Sequence, residues 1–149
     1  MRTLPKDFLW GASTSAYQVE GANLSDGKGP SCQDVKELPA GTASLDVCAD
    51  HYHRYKEDIK LMAEMGFKTY RFSIAWTRLI PNGTGEVNQA GIDHYNDVIN
   101  TCLEYNIEPL VTMFHFDMPD ALDKRGSWSN PESVDWFVNF AKVMFYFCF

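Results

Sequence analysis

Polar and aromatic side chains suited to chemistry on a hydroxyl-rich molecule follow three apolar runs of this 149-residue sequence. They are Tyr17, Gln18 and Glu20 after the first run, Trp76 and Arg78 after the second, and His115, Phe116 and Asp117 after the third. Amides, imidazoles and carboxylates hydrogen-bond vicinal hydroxyls, and flat rings stack on a pyranose face. If the runs are parallel strands of a barrel, their carboxyl ends gather these groups on one face.

Several of these residues also have a purely structural interpretation. Gln18 and Glu20, taken alone, fit solvated loop residues better than ligands, and His115 fits a core histidine and a ligand equally well. Arg71 lies inside an apolar run, where a buried guanidinium requires a carboxylate partner. Because no acid close in sequence is placed to serve, we expect that partner to come from a later strand.

Other catalytic and ligand-binding patterns are missing from the sequence. His51 and His53 are two residues apart just before the first predicted helix, too close to share a helical face, and no further ligand set completes a zinc pattern. The segment Gly11-Ala12-Ser13-Thr14 is not a phosphate loop, and no Gly-x-Ser-x-Gly elbow occurs. The sequence therefore predicts no metal site.

The composition is ordinary for a globular protein and argues against two classes of partner. Charged residues make up 22% and the formal net charge is −7 without any basic run, which disfavours a nucleic-acid partner. No stretch approaches about 18 consecutive apolar residues, so no membrane span is predicted. The N-terminus lacks the apolar region of a secretory signal and the four cysteines are scattered; both features predict a cytoplasmic protein with reduced thiols.

Three strands and three helices alternate along the chain. Strands are predicted at residues 8–12, 69–76 and 108–114, the last apolar on both faces like a buried parallel strand. Helices are predicted to end at Gly66, to span residues 89–105, and to open at Ser129-Asn130-Pro131-Glu132. This order means parallel strands with right-handed crossovers. A doubly wound sheet and a barrel both fit, although no dinucleotide fingerprint supports the former.

Helical periodicity also predicts which side chains the helices bury. The predicted apolar faces are Tyr55, Ile59, Met62 and Ala63; Ile92, Tyr95, Val98, Ile99, Cys102 and Leu103; and Val134, Phe137, Ala141 and Met144. Between the first strand and the first helix, residues 13–50 are rich in Gly, Ser, Asp and Pro. A loop this long inside a compact domain is more often functional than idle.

Four segments of the sequence carry a family resemblance. They are FLWGASTSAYQVEG at residues 8–21, DHYHRYKEDI at 50–59, YRFSIAW at 70–76 and GIDHYN at 91–96. In order and spacing they resemble glycoside hydrolase family 1 over residues 4 to about 145. The resemblance implies the (β/α)8 TIM barrel of the α/β class, of which residues 1–149 are the N-terminal portion of one domain with only the first three βα units.

The same resemblance implies a substrate and roles for four residues. The substrate is a small-molecule β-glycoside, Gln18 and His115 bind hydroxyls of its non-reducing sugar, and Arg71 lies under the catalytic nucleophile and keeps it ionised. Phe116 stands where the family usually has Trp, so the ring is kept and the indole N–H is lost. No metal or organic cofactor is implied. A β-glucosidase is preferred, with a 6-phospho-β-glucosidase as the alternative.

The two catalytic carboxylates of the family are not in this sequence. The general acid/base belongs to an Asn-Glu-Pro motif and the nucleophile to a Glu-Asn-Gly motif; neither tripeptide occurs, and the family pattern breaks into Tyr146-Phe147-Cys148-Phe149. Retaining glycosidases need both carboxyl groups, about 5–5.5 Å apart. We therefore assign no catalytic residue and expect this chain alone to be inactive. For the chain alone, a non-functional remnant is preferred to a non-catalytic sugar-binding fragment, and the oligomeric state is left open.

Overall fold

The computed structural model describes residues 3–147, within which three parallel strands alternate with helices. The strands lie side by side in the order in which they occur in the chain. The strands are β1 (Gly11–Ser13), β2 (Thr69–Ser73) and β3 (Glu108–Thr112). The helices are α1 (Ala16–Val19), α2 (His51–Glu64), α3 (Trp76–Leu79), α4 (Gln89–Glu104), α5 (Asp120–Asp123) and α6 (Ser133–Phe147). The predicted alternation of parallel strands and helices is confirmed.

All three strands are shorter than the apolar runs that predicted them. β1 was expected at residues 8–12 but begins at Gly11, and the side chains of Leu9 and Trp10 are exposed. β2 and β3 end at Ser73 and Thr112 because the chain then bends into the loops that carry the polar residues. The apolar runs therefore include the beginnings of those loops as well as the strands.

Two helix boundaries differ from the expectation and one agrees with it. α2 starts at His51, so His51 and His53 belong to its first turn rather than preceding it. α6 starts at Ser133, and the side-chain oxygen of Asn130 accepts the N–H of Glu132 at 2.9 Å just before it. α2 ends next to Gly66, whose φ of +86° is a left-handed conformation that glycine adopts without steric cost.

One face of the sheet is covered by the three long helices. Tyr70 and Phe72 of β2 point into this layer and are 0% and 4% exposed. From the helices, Ile59 of α2 and Ile92 of α4 join the same cluster, and Trp76 stacks on Phe140 of α6 with ring centroids 4.5 Å apart. The predicted inner face of α4 is confirmed except at Leu103, which is exposed.

The buried face of α6 agrees with the predicted one only in part, since Met144 is buried and Phe137 packs against the core as expected. Val134 was expected inside and is 66% exposed, whereas Trp136 and Phe140 are buried together with Met144. The helix is apolar on almost every side, so helical periodicity offers two adjacent stripes and does not decide between them. The choice is made by the fit of Phe140 against Trp76.

The opposite face of the sheet is uncovered over most of its length among the described residues, although α1 buries Ser73 at its carboxyl end. The strand register places Ser13, Arg71 and Leu110 side by side, as well as Ser73 and Thr112. Leu110 is 60% exposed, so the prediction that β3 is buried on both faces is wrong for this chain. A barrel interior is filled by side chains from alternate strands around the ring, and three strands supply only part of each layer.

The long segment after α1 folds over the carboxyl ends of the strands. A bridge joins Ser31 to Pro119, where the Cys32 N–H donates to the Met118 carbonyl at 2.8 Å. Lys28 and Asp34 form an ion pair at 2.6 Å within this segment, and both side chains are largely buried. The segment therefore links the loop after β1 to the loop after β3. Within residues 3–147 no helix is long and apolar enough to cross a membrane.

Candidate active site

The candidate site lies at the carboxyl ends of β1 and β3, where the polar residues were expected to meet. Gln18 comes from α1, and its side-chain Nε2 donates to the Tyr17 hydroxyl at 3.2 Å. The Tyr17 ring in turn lies beside the His115 ring, with centroids 6.4 Å apart. Loops that follow separate strands thus bring the amide and the imidazole to one edge of the sheet.

Gln18 is exposed on the short helix α1, and hydrogen bonds to buried residues hold the start of this helix. The amide oxygen of Gln18 accepts a hydrogen bond from the buried Ser15 hydroxyl at 2.5 Å. The Ala16 N–H donates to the hydroxyl of Ser73, at the end of β2, at 2.8 Å. The exposed amide is therefore held at its oxygen, while its nitrogen lies on the open side of the site.

His115 is half-buried, and its ring has no hydrogen bond to residues 3–147. Its backbone N–H donates to Asp117 Oδ1 at 3.3 Å, and its ring contacts Phe116 edge-on at a centroid distance of 5.4 Å. A core histidine would be buried with its ring nitrogens satisfied. The open ring of His115 therefore favours the ligand interpretation over the core interpretation.

Phe116 and Asp117 follow His115 in a bend of the chain after β3. Phe116 has φ +62°, which is strained for a bulky side chain, and it projects into solvent at 70% exposure. Its carbonyl accepts the Nε2–H of Gln33 at 2.7 Å. Asp117 is buried, and this burial raises the pKa of its carboxyl to about 7. This segment thus exposes the Phe116 ring to solvent and buries the Asp117 carboxyl group.

Glu20 is a buried structural residue, so the solvated-loop interpretation is wrong for it. Its Oε2 accepts from Arg78 Nε at 2.7 Å and its Oε1 accepts from the Tyr95 hydroxyl at 2.8 Å. Arg78 is 1% exposed and also donates to the Gly21 carbonyl at 2.8 Å. Its guanidinium lies 3.9 Å from the centre of the Tyr52 ring. This network ties the loop after β1 to α3 and α4, directly behind Gln18.

Arg71 is half-buried on the bare face of the sheet, in register with Ser13 and Leu110. Its guanidinium has no hydrogen bond or ion pair to the residues that the structure describes. The buried arginine with an acid partner is Arg78, a pairing that was not predicted from the sequence. Trp76, another candidate from the sequence, belongs to the helix-covered core and not to the site.

No local pattern in the sequence predicts the pairing of Glu20 with Arg78. The two residues are 58 positions apart, and Glu20 sits among Gly- and Ser-rich loop residues. The Ser15 contact had a local signal, because Ser-x-x-Gln is the pattern of a helix N-terminus. Over residues 3–147 no group of three or more metal-ligating side chains gathers, and His51 bonds Asp58 at 2.7 Å.

Comparison with known proteins identifies the family. The family description "Glycosyl hydrolase family 1" matches residues 1–147. This chain belongs to glycosyl hydrolase family 1. A β-glucosidase A of Acetivibrio thermocellus is 48% identical over 147 residues, which are 96% of this chain and 33% of that protein. A chloroplastic wheat (Triticum aestivum) β-D-glucosidase named for a benzoxazinyl glucoside is 54% identical over 94% of this chain and 26% of its own length.

Solved structures of the family share the fold of this chain. The family 1 β-glucosidase of Thermotoga maritima superposes with a TM-score of 0.93 at 45% identity, covering 97% of this chain and 34% of that one. It has also been solved in complex with castanospermine. The chain therefore contains the first three βα units of a (β/α)8 barrel and spans about a third of the length of these relatives.

Proposed function

We propose that this chain forms one wall of the sugar site of a retaining β-glucosidase. The observation that carries the proposal is the convergence of Gln18 and His115 on one edge of the sheet, linked through Tyr17. It is the C-terminal face of a barrel on which such enzymes bind their substrates. Similarity to enzymes named β-glucosidase supports the reaction class.

In this proposal the wall recognises the hydroxyls of the non-reducing sugar. Gln18 offers an amide N–H, and His115 offers an imidazole nitrogen that no residue in 3–147 engages. The exposed Phe116 ring provides an apolar surface next to them. Hydrogen bonds that strengthen as the sugar approaches the transition state raise kcat, whereas equal binding of both states lowers only KM.

Arg71 has a separate role below the sugar. It lies on the bare face of β2, the face that turns inward in a closed barrel, with a guanidinium that is unpaired among the described residues. A nucleophilic carboxylate beside it would stay ionised because an opposite charge lowers the pKa of a carboxyl group. That carboxylate and the proton donor are supplied by the rest of the barrel, since this sequence contains neither motif.

The site favours a neutral sugar over a phosphorylated one. A sugar phosphate needs free cationic side chains nearby. Lys28, in the segment after α1, and Arg78, in α3, are both engaged in ion pairs, with Asp34 at 2.6 Å and with Glu20 at 2.7 Å. Neither is available for a phosphate, and the similar enzymes are named β-glucosidases, so we prefer a β-glucoside as the substrate.

The test uses a completed barrel, defined as residues 1–145 of this chain joined to the remaining two thirds of the Thermotoga maritima β-glucosidase. We expect it to hydrolyse 4-nitrophenyl β-glucoside with a kcat/KM at least tenfold above that for the 6-phosphate of the same glucoside. The 149-residue chain alone should give no hydrolysis above a mock purification. A folded completed barrel that prefers the phosphorylated substrate, or that cleaves neither, would contradict the proposal.

A further inference from the structure

Ser15 occupies the N-cap position of α1, yet its hydroxyl does not cap the helix. Ser15 has extended backbone angles of −132° and 146°, and Gln18 follows three residues later. This is the pattern of a capping box, in which the serine side chain bonds the backbone N–H of the third helical residue. Here no such side-chain bond forms. The Ser15 hydroxyl therefore does not bond the helix backbone and can bond another group.

Other groups satisfy the start of the helix instead. The Ala16 N–H donates to the Ser73 hydroxyl at 2.8 Å, and the Gln18 N–H donates to the Ser15 backbone carbonyl at 3.0 Å. Ser15 itself is 1% exposed. A buried hydroxyl must find a partner, and that of Ser15 donates to Gln18 Oε1 at 2.5 Å.

This contact determines how the Gln18 amide faces the site. A glutamine amide can present either its oxygen, which accepts, or its nitrogen, which donates. With Oε1 held by the buried hydroxyl, Nε2 lies on the exposed side, where one N–H reaches the Tyr17 hydroxyl at 3.2 Å. The second N–H of Nε2 has no acceptor among residues 3–147.

We propose that Ser15 is a positioning residue that fixes the Gln18 amide with a free N–H directed at a hydroxyl oxygen of the sugar. Ser15 does not touch the substrate and acts only through Gln18. The inference rests on the proposed function and makes it more specific, because it states that Gln18 recognises the sugar as a hydrogen-bond donor. Rotation of the freed amide in the absence of Ser15 would cost affinity and rate.

The experiment is a double-mutant cycle in the completed barrel. Ser15→Ala should lower kcat/KM for 4-nitrophenyl β-glucoside about five- to tenfold, the size of one hydrogen bond to an uncharged group. In a Gln18→Ala background the same substitution should change kcat/KM by less than about twofold. Ser15→Cys still fills the space of the hydroxyl but offers only a weak donor, so it should behave like Ser15→Ala and separate the hydrogen bond from packing.

The matched control is Ser133→Ala, which removes the hydroxyl of another buried serine, at the start of α6. It should leave kcat/KM unchanged. The cycle is repeated by calorimetry with castanospermine, which needs a folded site but no turnover. A Ser15→Ala effect that persists in the Gln18→Ala background overturns the positioning role alone. A Gln18→Ala variant with unchanged kinetics and unchanged castanospermine affinity overturns the positioning role and also the proposed site.

Discussion

The two faces of the three-stranded sheet differ sharply in how they are covered. On the helix side, Tyr70 and Phe72 of β2 are sealed beneath α2, α4 and α6. On the other side, the adjacent Leu110 is 60% exposed and Arg71 is only half-buried. Successive side chains of β2 therefore point alternately into a packed core and onto an uncovered face of the sheet.

The two faces differ because the residues that cover the outer face are close in sequence, whereas those that fill the inner face come from the whole barrel. A crossover helix packs on the strands that it connects, so three βα units can build most of their outer layer locally. The inner layer of a barrel is assembled from strands around the whole ring. The chain thus carries a finished support for Gln18 and His115, while its inner face depends on the rest of the barrel.

The largest expected effect concerns folding of the chain alone. Leaving several large side chains exposed forfeits about 1.5–3 kcal/mol each, against a net stability of about 5–15 kcal/mol. Leu9, Leu110 and Tyr146 are such residues, and Phe149 lies outside the described ones. We expect the isolated chain to aggregate or to bind a hydrophobic dye without a cooperative melt, unlike the completed barrel. A sharp two-state melt of a monomer with a fixed near-UV signal would show that the helix-covered face suffices.

The second prediction compares two ion pairs in the completed barrel. Glu20→Ala leaves Arg78 buried and unpaired, and should lower the free energy of unfolding by about 3–5 kcal/mol. The control, Glu132→Ala, breaks the exposed pair with Arg125 and should cost about 0–1 kcal/mol. Urea denaturation measures both. Equal costs would mean that the Glu20 network does not support the loop that carries Gln18.

The third prediction concerns pH and Asp117. Because burial raises the pKa of Asp117 from 3.8 to about 7, its protonated form favours the folded state. That stabilisation is complete below about pH 4 and is lost as the pH rises through about 7. Asp117→Asn should therefore raise the Tm of the completed barrel more at pH 8 than at pH 4.5. The same change in Tm at both pH values would show that Asp117 is not protonated in the folded protein.

A smaller effect is expected from His115 in the completed barrel. If the imidazole bonds a substrate hydroxyl more tightly in the transition state, His115→Ala should lower kcat/KM by about 1–3 kcal/mol of transition-state stabilisation. The Tm should change little, because the ring has no hydrogen bond to the described residues. Unchanged kinetics combined with a lowered Tm would favour the core-histidine interpretation instead.

The smallest effect is expected from the aromatic residue beside His115. Phe116→Trp keeps an aromatic ring at this exposed position and adds an indole N–H that can donate to the sugar. We expect kcat/KM to rise by less than about tenfold, since one net hydrogen bond contributes about 0.5–1.5 kcal/mol. A fall in kcat/KM would show that the left-handed turn at Phe116 does not tolerate the larger ring.

The buried faces of the helices were predictable wherever the apolar residues repeat along a single helical stripe. Ile92, Tyr95 and Val98 repeat at helical spacing and are buried as predicted. Val134 was misplaced because α6 is apolar on nearly every side, so only packing against Trp76 selects its inner face. The cytoplasmic location remains a prediction.

The candidate site was predictable in its location but not in its support. Gln18 and His115 came from family resemblance and from their positions after strands, and both lie where parallel strands end. The pairing of Glu20 with Arg78 is a contact between residues distant in sequence, which no local pattern reveals. The role of Ser15 could not be predicted, because its sequence pattern is that of a backbone cap rather than of a bond to the Gln18 side chain.

The central claim is that Gln18 and His115 form the sugar-binding wall at the carboxyl ends of β1 and β3. A crystal structure of the completed barrel with castanospermine tests it most directly. We predict that Gln18 Nε2 and a ring nitrogen of His115 each lie within about 3 Å of a ligand hydroxyl, and that Gln18 Oε1 still accepts from the Ser15 hydroxyl. A ligand bound away from both residues, with the His115 ring packed into the protein, would contradict it.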